Sequence, residues 1–144
     1  MWLMTTLGFF SATCARLNHG RGPGIDVDLI MVRARTKAHL EALQGRFPAE
    51  LGTLAIISTP SNDYPYRLLV PKTIWAALVA DLVLSTNFDN FKSAAAAVAH
   101  GPEGQAYLHS LHETWALMRG IELPRTTPLR SGRQGSVRRR PPRT

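Results

Sequence analysis

Apolar and polar residues alternate with a period of two in the first third of the chain, a spacing typical of β-strands. Leu7 to Cys14 is rich in strand-forming and aromatic residues, and Asp28 to Arg35 forms a second strand-like run. The segment 18–24 between them contains three glycines and a proline, which indicates a connecting turn. Alternation in the second run would place Ile30, Val32 and Ala34 on one face and Leu29, Met31, Arg33 and Arg35 on the other.

The spacing then changes to that of an amphipathic helix. Leu40, Leu43 and Phe47 recur at the i, i+3, i+7 positions of one buried stripe. Thr36 suits the N-cap position before this helix, and a proline follows Phe47. The pattern predicts a helix from Lys37 to Phe47.

The same order of elements occurs a second time. Leu54 to Thr59 and Tyr64 to Val70 have strand composition and are separated by a polar turn, and a helical pattern then covers 72–84. Two strand–strand–helix units predict an α+β fold: a four-stranded, mainly antiparallel sheet with its helices on one face.

Two further helices are predicted in the C-terminal part, from Asn90 to His100 and from Glu103 to Arg119. Beyond residue 123 the apolar pattern ends, so we expect one α+β domain at 1–123 and a disordered tail at 124–144. The large apolar residues on the helix stripes are predicted to be core: Trp75, Leu78, Leu82, Leu111 and Trp115.

The net charge of +7 belongs to this tail, because residues 1–124 contain ten basic and ten acidic side chains. The high isoelectric point is therefore no argument that the domain itself binds nucleic acid. An arginine tail without acidic residues fits non-specific phosphate binding, and fits a solubilising extension equally well. The tail contains Arg125 and the candidate nucleic-acid contacts Arg130, Arg133, Arg138, Arg139, Arg140 and Arg143.

Cys14 is the single cysteine, which excludes an internal disulfide and fits a reducing cytoplasm. The apolar stretch from Met1 to Ala15 resembles a secretory signal in part. No basic residue precedes it and Gly8 interrupts it, so a first β-strand is the preferred interpretation. The chain has no apolar run long enough to span a bilayer, and we expect no membrane association.

Strand alternation draws attention to Arg33, Arg35 and Arg67, which would share the sheet face opposite the helices. Tyr64 and Tyr66 are neighbours of Arg67 along the chain. Outward residues of a half-exposed sheet are often arginine for solubility alone. Leu29, Met31 and Leu69 would share this face, however, and a mixture of apolar and arginine side chains is typical of a protein–protein contact. Arginines with aromatic residues also suit binding of single-stranded nucleic acid.

No nucleophile motif, phosphate-binding loop or cofactor motif occurs, so we expect no cofactor. His109, His112 and Glu113 lie within one predicted helix, where histidines at i and i+3 face the same side. A metal site there would need a third ligand, and the string HSLHE is not a metalloprotease motif. A solvated helix face is the alternative.

Several short motifs follow one another along the chain: MW, GFFS, VRAR, DYPYR, VP and NFDNFK, followed by a helix containing Tyr107, Trp115 and Met118. This series resembles a family of small bacterial proteins of uncharacterised activity, over about residues 1–120. The resemblance implies a bacterial cytosolic protein and transfers no catalytic residue. The glycine-rich segment 18–24 and the alanine run depart from the family pattern.

Together these patterns predict a small non-enzymatic binding or regulatory protein that acts through its open sheet face on a protein partner or on a second copy of itself. The first alternative is a nucleic-acid-associated protein that uses the arginine tail and the sheet-face arginines. The second is a small metal-dependent enzyme.

Overall fold

The computed structural model of the protein describes residues 1–20 and 22–121. At its centre is a five-stranded sheet in which all neighbours pair antiparallel, in the order β1-β2-β3-β5-β4. The α+β class and the antiparallel sheet are confirmed, but the sheet has five strands instead of four. The strands are β1 (Trp2–Thr5), β2 (Gly8–Arg16), β3 (Ile25–Ala34), β4 (Ile57–Ser58) and β5 (Tyr66–Pro71).

The additional strand is β1, which forms a hairpin with β2. Thr5 pairs with Gly8, so the turn contains only two residues. The Thr5 hydroxyl accepts from the amide of Leu7 and donates to the carbonyl of Gly8, both at 3.1 Å. Gly8 has a φ of 142°, a region that favours glycine. The sequence prediction missed the turn because it lacks the usual Asn-Gly or Pro signals.

The four predicted helices occur in the predicted order, three of them with shifted ends, and a further four-residue helix at Leu17–Gly20 overlaps the segment 18–24 that the sequence predicts as a turn. The helix predicted at 72–84 is confirmed, whereas the strand predicted from Leu54 to Thr59 shrinks to two residues. The short helix that begins at Pro48 was not predicted. The sequence pattern indicates this proline only as the end of the preceding helix, whereas proline also suits the first position of a new helix. The helices are α1 (Leu17–Gly20), α2 (Lys37–Arg46), α3 (Pro48–Leu51), α4 (Lys72–Leu84), α5 (Phe91–Val98) and α6 (Gly101–Arg119).

The core lies between one face of the sheet and the helices α2 and α4. Its fully buried side chains include Phe10, Val32 and Leu68 from the strands and Leu40 and Leu43 from α2. Of the predicted core residues, Trp75, Leu78 and Leu111 are buried and Leu82 is partly buried against the core.

The prediction that Trp115 belongs to the core is wrong, because half of this residue is exposed to solvent. Trp115 lies on the C-terminal half of α6. Its ring packs between two cations instead: Lys92 Nζ lies 4.2 Å and Arg119 Cζ lies 5.0 Å from its centroid. These contacts are exposed and contribute little to stability.

The N-terminal half of α6 is anchored at the β1–β2 end of the sheet. The hydroxyl of Tyr107 donates a 2.9 Å hydrogen bond to the carbonyl of Thr5, the last residue of β1. The Tyr107 ring also packs edge-on against His39 of α2, with centroids 5.0 Å apart. This placement of α6 creates one wall of a groove described below. The tail predicted at 124–144 lies outside the described residues.

Candidate functional site

A row of polar and aromatic residues crosses the sheet on the face opposite α2 and α4. Trp2 is opposite Ser11, Ser11 is opposite Arg33, and Arg33 is opposite Arg67. The alternating neighbours Val32 and Leu68 are fully buried in the core, so this row lies on the other side of the sheet. We call that side the open face.

Arg33 and Arg67 are held in place by hydrogen bonds that leave their charge uncompensated. Arg33 Nη2 donates to the Ser11 hydroxyl at 2.8 Å, and Arg67 Nη2 donates to the Tyr64 carbonyl at 3.2 Å. The Nε atoms of both arginines are buried without a hydrogen-bond partner among the described residues. Within 1–20 and 22–121, neither arginine forms an ion pair with a carboxylate.

The two guanidinium groups influence each other electrostatically. Partial burial lowers the pKa of Arg67, and the positive charge of Arg33 lowers that pKa further. Like charges directly opposite each other in an antiparallel pair destabilise a sheet. The arrangement therefore opposes stability while no anion is present.

Arg35 lies close to this pair but has a partner of its own. Its Nη1 is 3.3 Å from Asp63 Oδ1, and both side chains are exposed. Arg33 and Arg35 also contact the ring of Tyr64, with their Cζ atoms 4.9 Å and 5.0 Å from its centroid. Tyr64 is only 8% exposed, so its ring serves to position arginines and has little free surface for stacking a ligand.

Tyr66, which the sequence suggested as the aromatic member of the site, is not brought to it. Tyr66 pairs with Ala34 and packs against the core on the helix side of the sheet. Tyr64 takes its place because it precedes the strand: β5 begins at Tyr66, and Pro65 separates the two tyrosines. Strand alternation therefore does not govern the position of Tyr64.

An open pocket of about 530 Å³ lies over the arginine pair. Trp2, 70% exposed, is part of its wall, and Asn62 and Asp63 line it from the turn before β5. We call this space the arginine pocket. Four of the sequence motifs named above meet here: Trp2 from MW, Ser11 from GFFS, Arg33 from VRAR, and Asp63, Tyr64 and Arg67 from DYPYR.

A second, more apolar groove of about 380 Å³ adjoins the arginine pocket, because Trp2 and Tyr64 line both. We call it the α6 groove. Its walls include Phe9 from β2 together with Tyr107 and Leu111 from α6. It is large enough for one or two apolar side chains.

Several polar residues also line the α6 groove, among them Thr36, His39 and Glu103. The Thr36 hydroxyl is buried without a partner among the described residues, and no side-chain cap is formed by this residue at the start of α2. Burial lowers the pKa of His39 and thereby favours its neutral form, although the charge of Glu103 opposes the shift. His39 Nδ1 accepts a long hydrogen bond of 3.4 Å from the Phe9 amide.

Beyond the arginine row, the open face is apolar. Met31 lies opposite Thr13 and Leu69, and Leu29 lies opposite Pro71. Met31, Leu69 and Leu29 are partly exposed. The open face therefore combines an arginine pair with a row of partly exposed apolar side chains.

The candidate metal ligands on α6 do not form a centre. His109 Nε2 lies 3.1 Å from Glu113 Oε1, and both side chains are largely exposed. His112 is exposed on the same helix. Within the described part of the chain, no three histidine, cysteine or acidic side chains are grouped as metal ligands.

The arginines of the tail lie outside the described residues, so only their charge enters the argument. Among the helices that the structure describes, none is both long enough and apolar enough to cross a bilayer. The chain matches no protein-family model, no curated protein and no solved structure.

Sequence reasoning missed Trp2 and Ser11 as members of the site, and it named Tyr64 only as a neighbour of Arg67. Trp2 was assigned to an undivided apolar run, and Ser11 is a small polar residue within it. A signal was present for Ser11, since a hydroxyl in the middle of an apolar strand requires a hydrogen-bond partner when buried. That partner is Arg33, which lies 22 residues away in sequence.

Proposed function

We propose that this protein is a small binding protein that holds a protein partner against the open face of its sheet. The observation that supports the proposal most directly is the Arg33–Arg67 pair, which is partly buried and has no carboxylate partner in the described chain. Arginine is enriched in protein interfaces, and a partner's acidic group would supply the missing countercharge.

The apolar row beside the pair extends the contact. Met31 and Leu69 would be covered by the partner, and the exposed Trp2 is a residue type that often anchors interfaces. Ile57 at the sheet edge, 38% exposed, lies opposite Arg67 and continues the surface. A folded partner or an extended segment would both find apolar and charged contacts here.

Nucleic acid is the second candidate, supported by the charge of the tail and by Trp2 beside two arginines. The placement of Tyr64 argues against it, because Arg33 and Arg35 occupy the ring that a base would need for stacking. The described chain is also balanced in charge, whereas nucleic-acid-binding domains carry a clear excess of basic residues.

The experiment begins with affinity capture from an extract of the producing cells, treated with nuclease. Each captured protein is then purified separately, and its affinity is measured by isothermal titration calorimetry. We expect Leu69→Lys to weaken binding by roughly tenfold or more, since a lysine ammonium would be desolvated within the contact. Leu84→Lys is the matched control, because Leu84 is 85% exposed at the end of α4.

Equal affinities for the wild-type protein and Leu69→Lys would refute the proposal. Association that disappears after nuclease treatment would favour nucleic acid instead.

A further inference from the structure

The arginine pocket has the composition of an anion-binding site. Two guanidinium groups and the Ser11 hydroxyl line it, and so does the carboxylate of Asp63, which pairs with the nearby Arg35. The local charge is therefore +2. An anion between the two guanidinium groups would make their proximity favourable, because its attraction to each group would offset their mutual repulsion.

Asp63 lowers the positive charge of the pocket without cancelling it. Its carboxylate lines the same pocket while it pairs with Arg35. The remaining positive charge attracts both carboxylates and phosphates, and the planar fork of an arginine guanidinium can donate two parallel hydrogen bonds to either group. The proposed protein partner carries carboxylates on its unmodified aspartate and glutamate side chains, whereas a phosphate would require a modification, so we assign the pocket to a carboxylate.

The adjoining α6 groove indicates what accompanies the anion. It shares the walls Trp2 and Tyr64 with the arginine pocket and is lined by aromatic and aliphatic residues such as Phe9 and Leu111. A ligand with an acidic group next to an apolar side chain would fill both spaces. Small carboxylic acids and acidic peptide segments share this chemistry, and a protein segment alone would also extend over the apolar row.

We propose that the arginine pocket binds an aspartate or glutamate carboxylate of the partner, while an apolar side chain adjacent to it enters the α6 groove. This inference rests on the proposed function. It adds the chemical feature that the partner must present: an acidic residue beside an aromatic or aliphatic one.

The test uses three pools of capped tripeptides in which the central residue is glutamate, glutamine or phosphoserine and the flanking residues vary. We expect the full-length protein to retain the glutamate pool at least tenfold over the glutamine pool, with aromatic or aliphatic flanking residues enriched. In NMR spectra, the glutamate pool should shift the side-chain Nε–Hε signals of Arg33 and Arg67. Equal retention of glutamate and glutamine would overturn the proposal, and preference for phosphoserine would overturn the assignment to a carboxylate.

Two variants locate the binding. Arg67→Gln should reduce retention of the glutamate pool to the level of the glutamine pool, and Arg33→Lys should reduce it at least threefold, because lysine keeps the charge and loses the planar fork. Arg46→Gln is the control. Arg46 Nη2 lies 2.7 Å from Asp81 Oδ2, and this ion pair does not line the arginine pocket. Unchanged retention by both pocket variants would refute the site, and the NMR shifts on the wild-type protein provide the answer if a variant fails to fold.

The outcomes also separate this inference from the proposed function. If Leu69→Lys weakens the binding of a partner and Arg67→Gln leaves it unchanged, the proposed function stands and the carboxylate site is refuted. Selective retention of the glutamate pool without any partner that depends on Leu69 would support the carboxylate site and overturn the function as a protein-binding face.

Discussion

One long-range hydrogen bond that helps to hold α6 against the sheet can be removed by deleting a single hydroxyl group. Tyr107 donates to the carbonyl of Thr5 at 2.9 Å, across 102 residues of sequence. Tyr107→Phe keeps the ring that packs against His39 and removes only the hydroxyl. The variant therefore tests how much this hydrogen bond contributes to holding α6 against the sheet.

The expected loss follows from the partly buried setting of this bond. A hydrogen bond within a protein contributes about 1 kcal/mol net, and a carbonyl left without a partner adds to the cost of its removal. We expect Tyr107→Phe to lower the free energy of unfolding by about 1–2 kcal/mol at pH 7. For a domain of this size, that corresponds to a decrease in melting temperature of roughly 3–8 °C.

The difference should depend on pH at the alkaline end. Burial raises the pKa of Tyr107 to about 12 from its ordinary value of 10.0. Below pH 10 the hydroxyl is protonated in both states, and the full contribution is present. As pH rises from 10 towards 12, the unfolded chain loses this proton first, so the advantage of the wild-type protein over Tyr107→Phe should shrink.

Urea denaturation followed by circular dichroism measures both effects, at pH 7 and in steps above pH 9. Tyr66→Phe is the control, because the Tyr66 hydroxyl makes no hydrogen bond to any described residue, and its stability should change by less than about 0.5 kcal/mol. If Tyr107→Phe is as stable as the wild-type protein at pH 7, the hydrogen bond to Thr5 does not help to hold α6 against the sheet.

Three further results are expected. Trp75→Ala should lower the free energy of unfolding by about 3–5 kcal/mol, because Trp75 is only 4% exposed. Trp115→Ala should lower it by only about 1 kcal/mol, because Trp115 is 50% exposed, and equal losses in denaturant titrations would contradict this placement. Gly8→Ala should lower the free energy of unfolding by about 1–3 kcal/mol, because the φ of Gly8 is positive and a Cβ would overlap the ring of His39. Gly45→Ala, with open space around it, should be neutral or stabilising. Deleting 125–144 should remove most salt-dependent affinity for duplex DNA, with a log–log salt slope of at most about six before deletion, and persistence of that affinity would place the nucleic-acid site on the domain.

Local sequence patterns determined those strands and helices whose apolar spacing can be read within a short stretch of the chain. The period-two alternation placed Arg33 and Arg67 on the same side of their strands, and the apolar spacing at 72–84 gave the helix α4 with its bounds. Such patterns succeed because a side chain's direction within a strand or helix follows from its position in that element alone.

The tertiary structure decided which residues of different strands and helices come into contact. Pairing of β3 with β5 in one register places Arg33 directly opposite Arg67, and pairing with β2 adds Ser11. A strand's own alternation fixes the face but not the neighbour, because register depends on residues far apart in sequence.

The sequence-based predictions that were wrong also concern long-range contacts. Trp115 carries the spacing of a buried stripe, yet only the N-terminal half of α6 reaches the sheet, so the helix pattern overstated the length of its contact. Tyr64 entered the site through a turn, where alternation does not apply. The sequence by itself determined the α+β class and the side of the sheet that carries the arginines. Long-range register and helix docking decided that these arginines form a pair without a countercharge.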